Sequence, residues 1–339
     1  MMSDEQPAKA KVAGVLISRD PLILWGPSTP PFHAGPGTTL APYIGNRRAY
    51  FLFSPAWTRE RESLVRADLK HLSLLRAEWP EHRHVVLCAT RAELELYRSV
   101  RQPAILCTAN VFVNEHRFTV HPPRERDYDA LYNGQLVPFK RHELCVGIER
   151  LALIYHRWAD PESADYAQHV HAMLPSATFV NELDGEHRNL KESEILQWLS
   201  RAHVGLCLSA EEGQNRSTAE YVLSGLPVVS TPNLGGRNGV LHPSYWIEAA
   251  PDPASIAAAV LELKARRVDP HAVRRKALEL LAPDRERLMQ LVRAIYRNEG
   301  RPFPEEADWD QMFRRGTWPV HTAEGLMAGM AVSETTLAG

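Results

Sequence analysis

The sequence predicts an α/β protein of two domains, each built on a parallel sheet flanked by helices. Three observations carry that prediction. Short β-branched runs alternate with longer amphipathic stretches along most of the chain, a polar, proline-containing break falls at residues 121–127, and the alternation then restarts. At 339 residues the chain exceeds one comfortable core, and 44% hydrophobic with 24% charged residues is a globular composition.

In chain order, strands are expected at 12–18, 49–53, 84–88 and 104–107, with helices at 60–76 and 91–100. Residues 27–42, rich in Pro, Gly, Ser and Thr, read as a loop. Beyond the break, strands are expected at 128–132, 151–155, 178–180, 204–208, 227–230 and 246–248. Helices fall between them at 140–149, 164–173, 191–202 and 217–224, and then at 253–266, 271–281 and 285–297. The domain reading is 1–125, a short first domain; 126–298, a second domain; and 299–339, a C-terminal extension packing back across the cleft, its last dozen residues frayed.

The formal net charge of −2 leaves no basic excess to hold a polyanion, which argues against a nucleic-acid partner. The four cysteines form no C-x-x-C pair and three of them sit in or beside apolar runs, so neither a disulfide framework nor a zinc site is expected, and a cytoplasmic location is the simpler reading. The N-terminal apolar stretch is too short for a secretory signal and no run reaches bilayer length, although a peripheral membrane contact stays open.

The chemistry concentrates in residues 204–230. A buried strand runs to Ser209, a tight loop follows through Glu211, Glu212 and Gly213, and a helix begins near Ser217 and closes at Gly225. In an open α/β sheet, ligands bind beyond the carboxyl ends of the strands. The N–H groups of Gly213, Gln214, Asn215, Arg216 and Ser217 would face that crevice with the positive end of a helix behind them, which suits a diphosphate. Glu212 and Glu220 would lie about 12 Å apart on one continuous helix; they approach only if Glu212 is in the loop and Glu220 one turn into the helix. One carboxylate could then reach a sugar hydroxyl and the other a ribose. Ser217-x-x-Glu220 is equally a capping-box pattern, in which Glu220 serves only the helix start.

The run LSAEEGQNRSTAEYVLSGLPVVSTPNLGG resembles the donor-site segment of retaining glycosyltransferases of the GT-B fold, the Glu-x7-Glu type known as glycosyltransferase family 4-like. Ser209, Glu212, Gly213, Glu220, Gly225, Pro227, Val228 and Val229 stand in the family's order. Leu136-Val-Pro-Phe-Lys140 resembles a second family feature, a Lys that contacts the donor diphosphate. The resemblance spans residues 128–295. It implies two facing Rossmann-like domains with a cleft between them, a UDP- or GDP-sugar held mainly by the second, and transfer with retention by a hexosyltransferase-type enzyme needing neither metal nor cofactor. By the same resemblance Glu212 contacts the donor sugar, Glu220 the ribose, and Lys140 neutralises the leaving diphosphate. Gly213, Gln214, Asn215, Ser217, Thr218, Ser209 and Arg141 complete the expected donor site.

One departure stands out: the family's Arg shortly before the Lys is missing, and Arg141 and Arg216 are the candidates to replace it. In the first domain the loop residue His33 is the catalytic candidate, a group able to polarise a hydroxyl, with an ordinary surface histidine as the alternative. Arg19, Asn46, Arg47, Arg48, Asn110 and Asn114 are further candidates to line a cleft, or plain loop residues. The acceptor stays open among glycans, lipids, peptides and small molecules. Two other functions fit the same fold: a sugar-nucleotide epimerase, and a non-catalytic nucleotide-sugar-binding protein.

Overall fold

Leu22-Ile-Leu-Trp, Phe51-Leu-Phe and Val85-Val-Leu-Cys are apolar at every position, as strands buried on both faces must be. In the computed structural model they are consecutive strands of one sheet. The structure describes residues 11–28, 34–121, 126–156, 161–183, 185–304, 309–313, 320–322 and 324–325. Two compact units emerge, one of residues 1–112 with 283–339 and the other of residues 113–282.

The first unit holds a five-stranded sheet in the order β2-β3-β4-β5-β6, namely Val15–Arg19, Leu22–Ser28, Ala49–Pro55, His82–Cys88 and Ala104–Leu106. The β2–β3 pair is a hairpin across Asp20-Pro21; the remaining pairs are parallel. Helices α1 (Pro36–Ile44), α2 (Glu62–Glu78) and α3 (Arg91–Ser99) make the crossovers. A two-stranded antiparallel ribbon joins β1 (Lys11–Ala13) to β13 (Val320–Thr322). Under α2 and α3, the guanidinium of Arg59 donates to Asp68 at 2.7 Å and Tyr97 donates to the same carboxylate at 2.5 Å, so the buried ion pair is hydrogen-bonded on both sides.

Strand β3 and helix α1 were not foreseen. Strand β3 was passed over because only Asp20-Pro21 separates it from β2. Helix α1 occupies what was read as loop. Pro36 sits at its first turn, where a missing N–H is harmless, and Leu40, Ala41 and Ile44 bury its inner face. Gly37 lies against the sheet, where a Cβ would come within 3.0 Å of the Phe51 ring. Packing decides this helix, not propensity.

The second unit is a six-stranded, wholly parallel sheet in the order β12-β11-β10-β7-β8-β9. Its strands are β7 (Tyr128–Asn133), β8 (Leu151–Ile154), β9 (Thr178–Phe179), β10 (Ala202–Cys207), β11 (Val228–Ser230) and β12 (Trp246–Glu248). Its helices are α4 (Pro161–Met173), α5 (Glu192–Leu199), α6 (Arg216–Leu223) and α7 (Pro253–Arg266). Strand order runs outward from β7 to β9, then restarts at β10 beside β7 and runs the other way. That is the doubly wound Rossmann order, with its switch point between β7 and β10.

The helix expected at 140–149 is replaced by two short 3-10 turns, Pro138–Lys140 and His142–Cys145, with Arg141 left-handed (φ 54°) between them. The two helices expected at 271–281 and 285–297 form one, α8 (Pro270–Asn298), which continues through Pro283. Proline has no N–H to donate to the carbonyl four residues back, and the division between the two units falls at that residue. The second domain as read from sequence ran on to residue 298. A short α9 (Trp309–Phe313) stacks Trp309 and Phe313 near Phe112 within the first unit.

Asp129, buried at the start of β7, accepts from Arg150 at 2.8 Å and from Lys264 of α7 at 2.6 Å. Burial opposes its ionisation, but the hydrogen bonds and charges of Arg150 and Lys264 prevail and hold its carboxyl down at about 2. A depressed carboxylate stabilises the fold fully above its unfolded pKa, about 4, and that contribution is lost as pH falls toward the folded value. Asp129→Asn is therefore expected to melt lower than the parent at neutral pH. Its acid-unfolding curve should also be flatter between about pH 4 and 2, and identical curves for the two proteins would refute the pairing's role.

Candidate functional site

Strand β7 carries Ala130, Leu131 and Tyr132 in the core and ends at Asn133. Its neighbour β10 ends at Cys207, and the chain continues through Leu208 and Ser209 into the Glu211–Asn215 loop. Both carboxyl ends lie at the switch point. Helix α6 is tied to them from below: the Asn133 N–H donates to the Tyr221 hydroxyl at 2.6 Å, and the Ser217 hydroxyl donates to the Asn133 carbonyl at 3.0 Å.

Beyond Asn133 the chain rises through Gly134 and Gln135 to the 3-10 turn that ends at Lys140, whose carbonyl accepts from the Tyr132 hydroxyl at 2.7 Å. From there the Lys140 ammonium forms an ion pair with Glu212 Oε1, both side chains only about a tenth exposed. The other oxygen of Glu212 accepts from the Asn215 amide at 2.7 Å. Residues 72 positions apart in sequence thus meet in one buried contact.

Asn215 does two things at once. Its oxygen accepts from the Thr218 N–H at 3.2 Å, which makes it the N-cap of α6, while its amide orients Glu212. The capping-box reading of Ser217-x-x-Glu220 is thereby corrected, because Glu220 lies one turn into the helix, beyond reach of the cap position. Glu220 pairs instead with Arg216 at 2.6 Å and accepts from the Asn133 amide at 3.3 Å. It is almost wholly buried; burial pushes its carboxyl up, and the charge of Arg216 opposes that shift. Arg216 also reaches Glu192 at 3.3 Å. At the far end, Gly225 (φ 79°) closes α6 in a Schellman motif, with Leu226 N–H on the Tyr221 carbonyl at 2.9 Å.

The loop bearing Glu212 is braced by the segment after β11. Glu212 N–H donates to the Leu234 carbonyl at 3.0 Å and Leu234 N–H to the Ala210 carbonyl at 2.9 Å. Gly235 (φ 121°) lies so close that a Cβ there would come within 1.7 Å of the Glu212 carbonyl oxygen. Arg237, fully buried, donates to the Ser209 carbonyl at 2.9 Å and also to that of Thr231.

The remaining expected residues sort by geometry. Gly213 and Gln214 lie in the Glu212 loop, and Gln214 is buried. Thr218 faces the sheet, its hydroxyl 3.1 Å from the Cys207 sulfur. Ser209 is fully buried at the end of β10. Arg141 turns inward, donating to the Leu208 carbonyl and, at 2.6 Å, to the Thr231 hydroxyl; it holds the ends of β10 and β11 together. His142 is buried beside the Tyr132 ring, and burial drives its imidazole down to about 3, so Lys140-Arg141-His142 is no exposed basic helix start. Asn181 closes the 181–188 loop, accepting from Tyr155 N–H at 2.8 Å and donating to the Arg188 carbonyl at 2.7 Å. His33 lies outside the described residues. The Asn233-Leu-Gly-Gly-Arg237 segment, read from sequence as able to approach the phosphates or acceptor or else as a plain turn, places Arg237 on backbone carbonyls; Asn133 was missed. Asn133 had a signal in its place at a strand end before Gly134.

A doubly wound sheet with charged side chains gathered at its switch point defines a protein of the doubly wound α/β class, in which ligands bind at that point. Comparison with solved structures is more particular. Sucrose-phosphate synthase from Thermosynechococcus elongatus matches with a TM-score of 0.57 at 15% identity, over 81% of this chain and 74% of that one. An α,α-trehalose-phosphate synthase (UDP-forming) from Burkholderia vietnamiensis matches at 0.55 and 12% identity, over 82% and 74%. The Burkholderia xenovorans enzyme of the same name, in complex with glucose-6-phosphate, matches at 0.51 and 12%, over 80% and 74%. These neighbours are GT-B glycosyltransferases, and the likeness establishes that fold for this chain. No protein-family model matches the sequence. Among curated proteins none matches either. No described helix is long and apolar enough to cross a membrane.

Proposed function

We propose that this chain is a glycosyltransferase that takes a sugar from a UDP- or GDP-sugar and transfers it, with retention at the anomeric carbon and without a metal, to an acceptor hydroxyl. The observation that carries this reading is the Lys140–Glu212 pair at the switch point. The two residues that the family resemblance names from distant segments are in contact, in the place where a doubly wound sheet binds its ligand.

The pair defines a division of labour. On donor binding the ammonium of Lys140 exchanges the carboxylate for diphosphate oxygens, and its charge meets the negative charge that grows as the bond to the anomeric carbon breaks. Glu212, released from Lys140 but still held by Asn215, is left to accept from sugar hydroxyls. Glu220 uses its remaining acceptor positions for the ribose, with Asn133 and Arg216 fixing its orientation. The α6 N-terminus adds its dipole behind the phosphates. The trehalose-phosphate synthases named above are UDP-forming, which favours uridine among the bases.

A nucleoside diphosphate is expected to raise the melting temperature. At a hundred times its dissociation constant it adds about 2.7 kcal/mol, or roughly 5–11 °C for domains of this size. Lys140→Ala should abolish most of that shift, and a shift unchanged in the variant would remove Lys140 from the donor site. Incubating UDP- and GDP-sugars with the protein alone and following slow release of free sugar separates a transferase from a binding protein. An isomerised sugar nucleotide in the same mixture would instead mark an epimerase.

A further inference from the structure

A second charged cavity lies in the first unit, at the amino-terminal edge of its sheet, away from the strand ends where α/β ligands ordinarily bind. Its volume is about 560 Å³. Strand β6 begins pairing with β5 only at Val86, so His82–Val85 form an open sheet edge. Pro103 has no N–H to give the ladder there. The side chain of Gln102 takes its place, donating to the His84 carbonyl at 2.9 Å. The Gln102 oxygen in turn accepts from Arg76, fixing that guanidinium at the cavity wall.

Arg83 and Arg101 line the same cavity. Arg83 donates only to the backbone carbonyls of Pro80 and His82. None of the three arginines has a carboxylate partner among the described residues; the nearby Glu81 and Glu299 are engaged by Arg48 and Tyr50. His84, 2% exposed, also lines the cavity, and neither of its ring nitrogens has a hydrogen-bond partner. Burial, and then the charge of Arg76, drives this imidazole down to about 3, so it stays neutral, stacked on Phe51 with Nε2 toward Gly37. The opposite wall is apolar, formed by Leu291, Ala294 and Ile295 of α8.

We propose that this groove is a binding site for a small phosphorylated molecule, distinct from the donor site. Its phosphate is held by Arg76, Arg83 and Arg101 at the open sheet edge, and its body lies against α8. Three guanidiniums around a concave surface match the several acceptor oxygens of a phosphate, which charge-assisted, forked hydrogen bonds bind strongly. Arg76 is half-buried without a counter-charge among the described residues, which is unfavourable, and an anion restores the balance, with the exposed Arg83 and Arg101 at the rim adding further donors.

Calorimetric titration of sodium pyrophosphate at fixed ionic strength tests this, using the full chain and three variants. Arg76→Gln/Arg101→Gln is expected to weaken binding by roughly tenfold or more, whereas Lys140→Ala retains this site. Arg101 has a left-handed backbone (φ 58°), which glycine adopts without strain. Arg101→Gly should therefore melt no lower than the parent protein and still bind pyrophosphate more weakly, a split that a merely structural role for Arg101 would not produce. Absence of binding to the parent chain, unaltered binding to the arginine variants, or loss of binding only in Lys140→Ala would each overturn the proposal.

Discussion

Glu212→Ala is expected to abolish sugar transfer, lowering kcat/KM by at least roughly a thousandfold, the upper range for removing a single group that acts on the transition state. The same change strips Lys140 of its partner. An ammonium left about a tenth exposed, with no counter-ion, is destabilising by up to about 3 kcal/mol where no water enters to solvate it. Glu212→Gln separates the two effects. Its amide oxygen can still accept from Lys140 or from Asn215, so stability should largely return while activity does not. Full activity in Glu212→Ala would remove Glu212 from the chemistry.

Gly235→Ala is expected to be the most damaging single-methyl change in the second unit. The new Cβ would stand 1.7 Å from the Glu212 carbonyl oxygen, on a backbone with φ 121° that other residues avoid. Either the 233–235 segment or the Glu212 loop must move, breaking the Glu212–Leu234 hydrogen bond. A loss of about 3 kcal/mol is expected from strain and displaced contacts together. It would be read from the urea midpoint, together with loss of the nucleotide-induced thermal shift. A variant that keeps both would show that the Glu212 loop is not held by this close approach.

The second unit was the more legible half of the chain. Val228–Ser230 and Trp246–Glu248 are flanked by clear breaks, and Asp252 caps α7 where Pro253 starts it, so period and punctuation agreed. The first unit hid β3 and α1 because local signals pointed elsewhere: a two-residue hairpin in one case, and Pro36, Gly37 and Pro42 in the other. At the candidate site, the residue types were legible but their partnerships were not. Spacing alone could not show that Asn215, rather than Ser217, caps α6, because Ser, Asn and Thr are all good caps. Nor could it show Arg141 turned inward, since an arginine beside a lysine reads as exposed charge until the carbonyls of the neighbouring strand are in place.

The strand-order reversal has a consequence for how the chain matures. Between β7 and β10 lie β8, α4, β9 and α5, so pairing those two strands closes a long stretch of chain. Lys140 and Glu212 become neighbours only through that long-range closure, which is entropically among the slower steps of assembling a parallel sheet. On the proposed function, chains in which that closure has not formed lack the donor site, and nucleotide binding reports the closure more directly than helix content does.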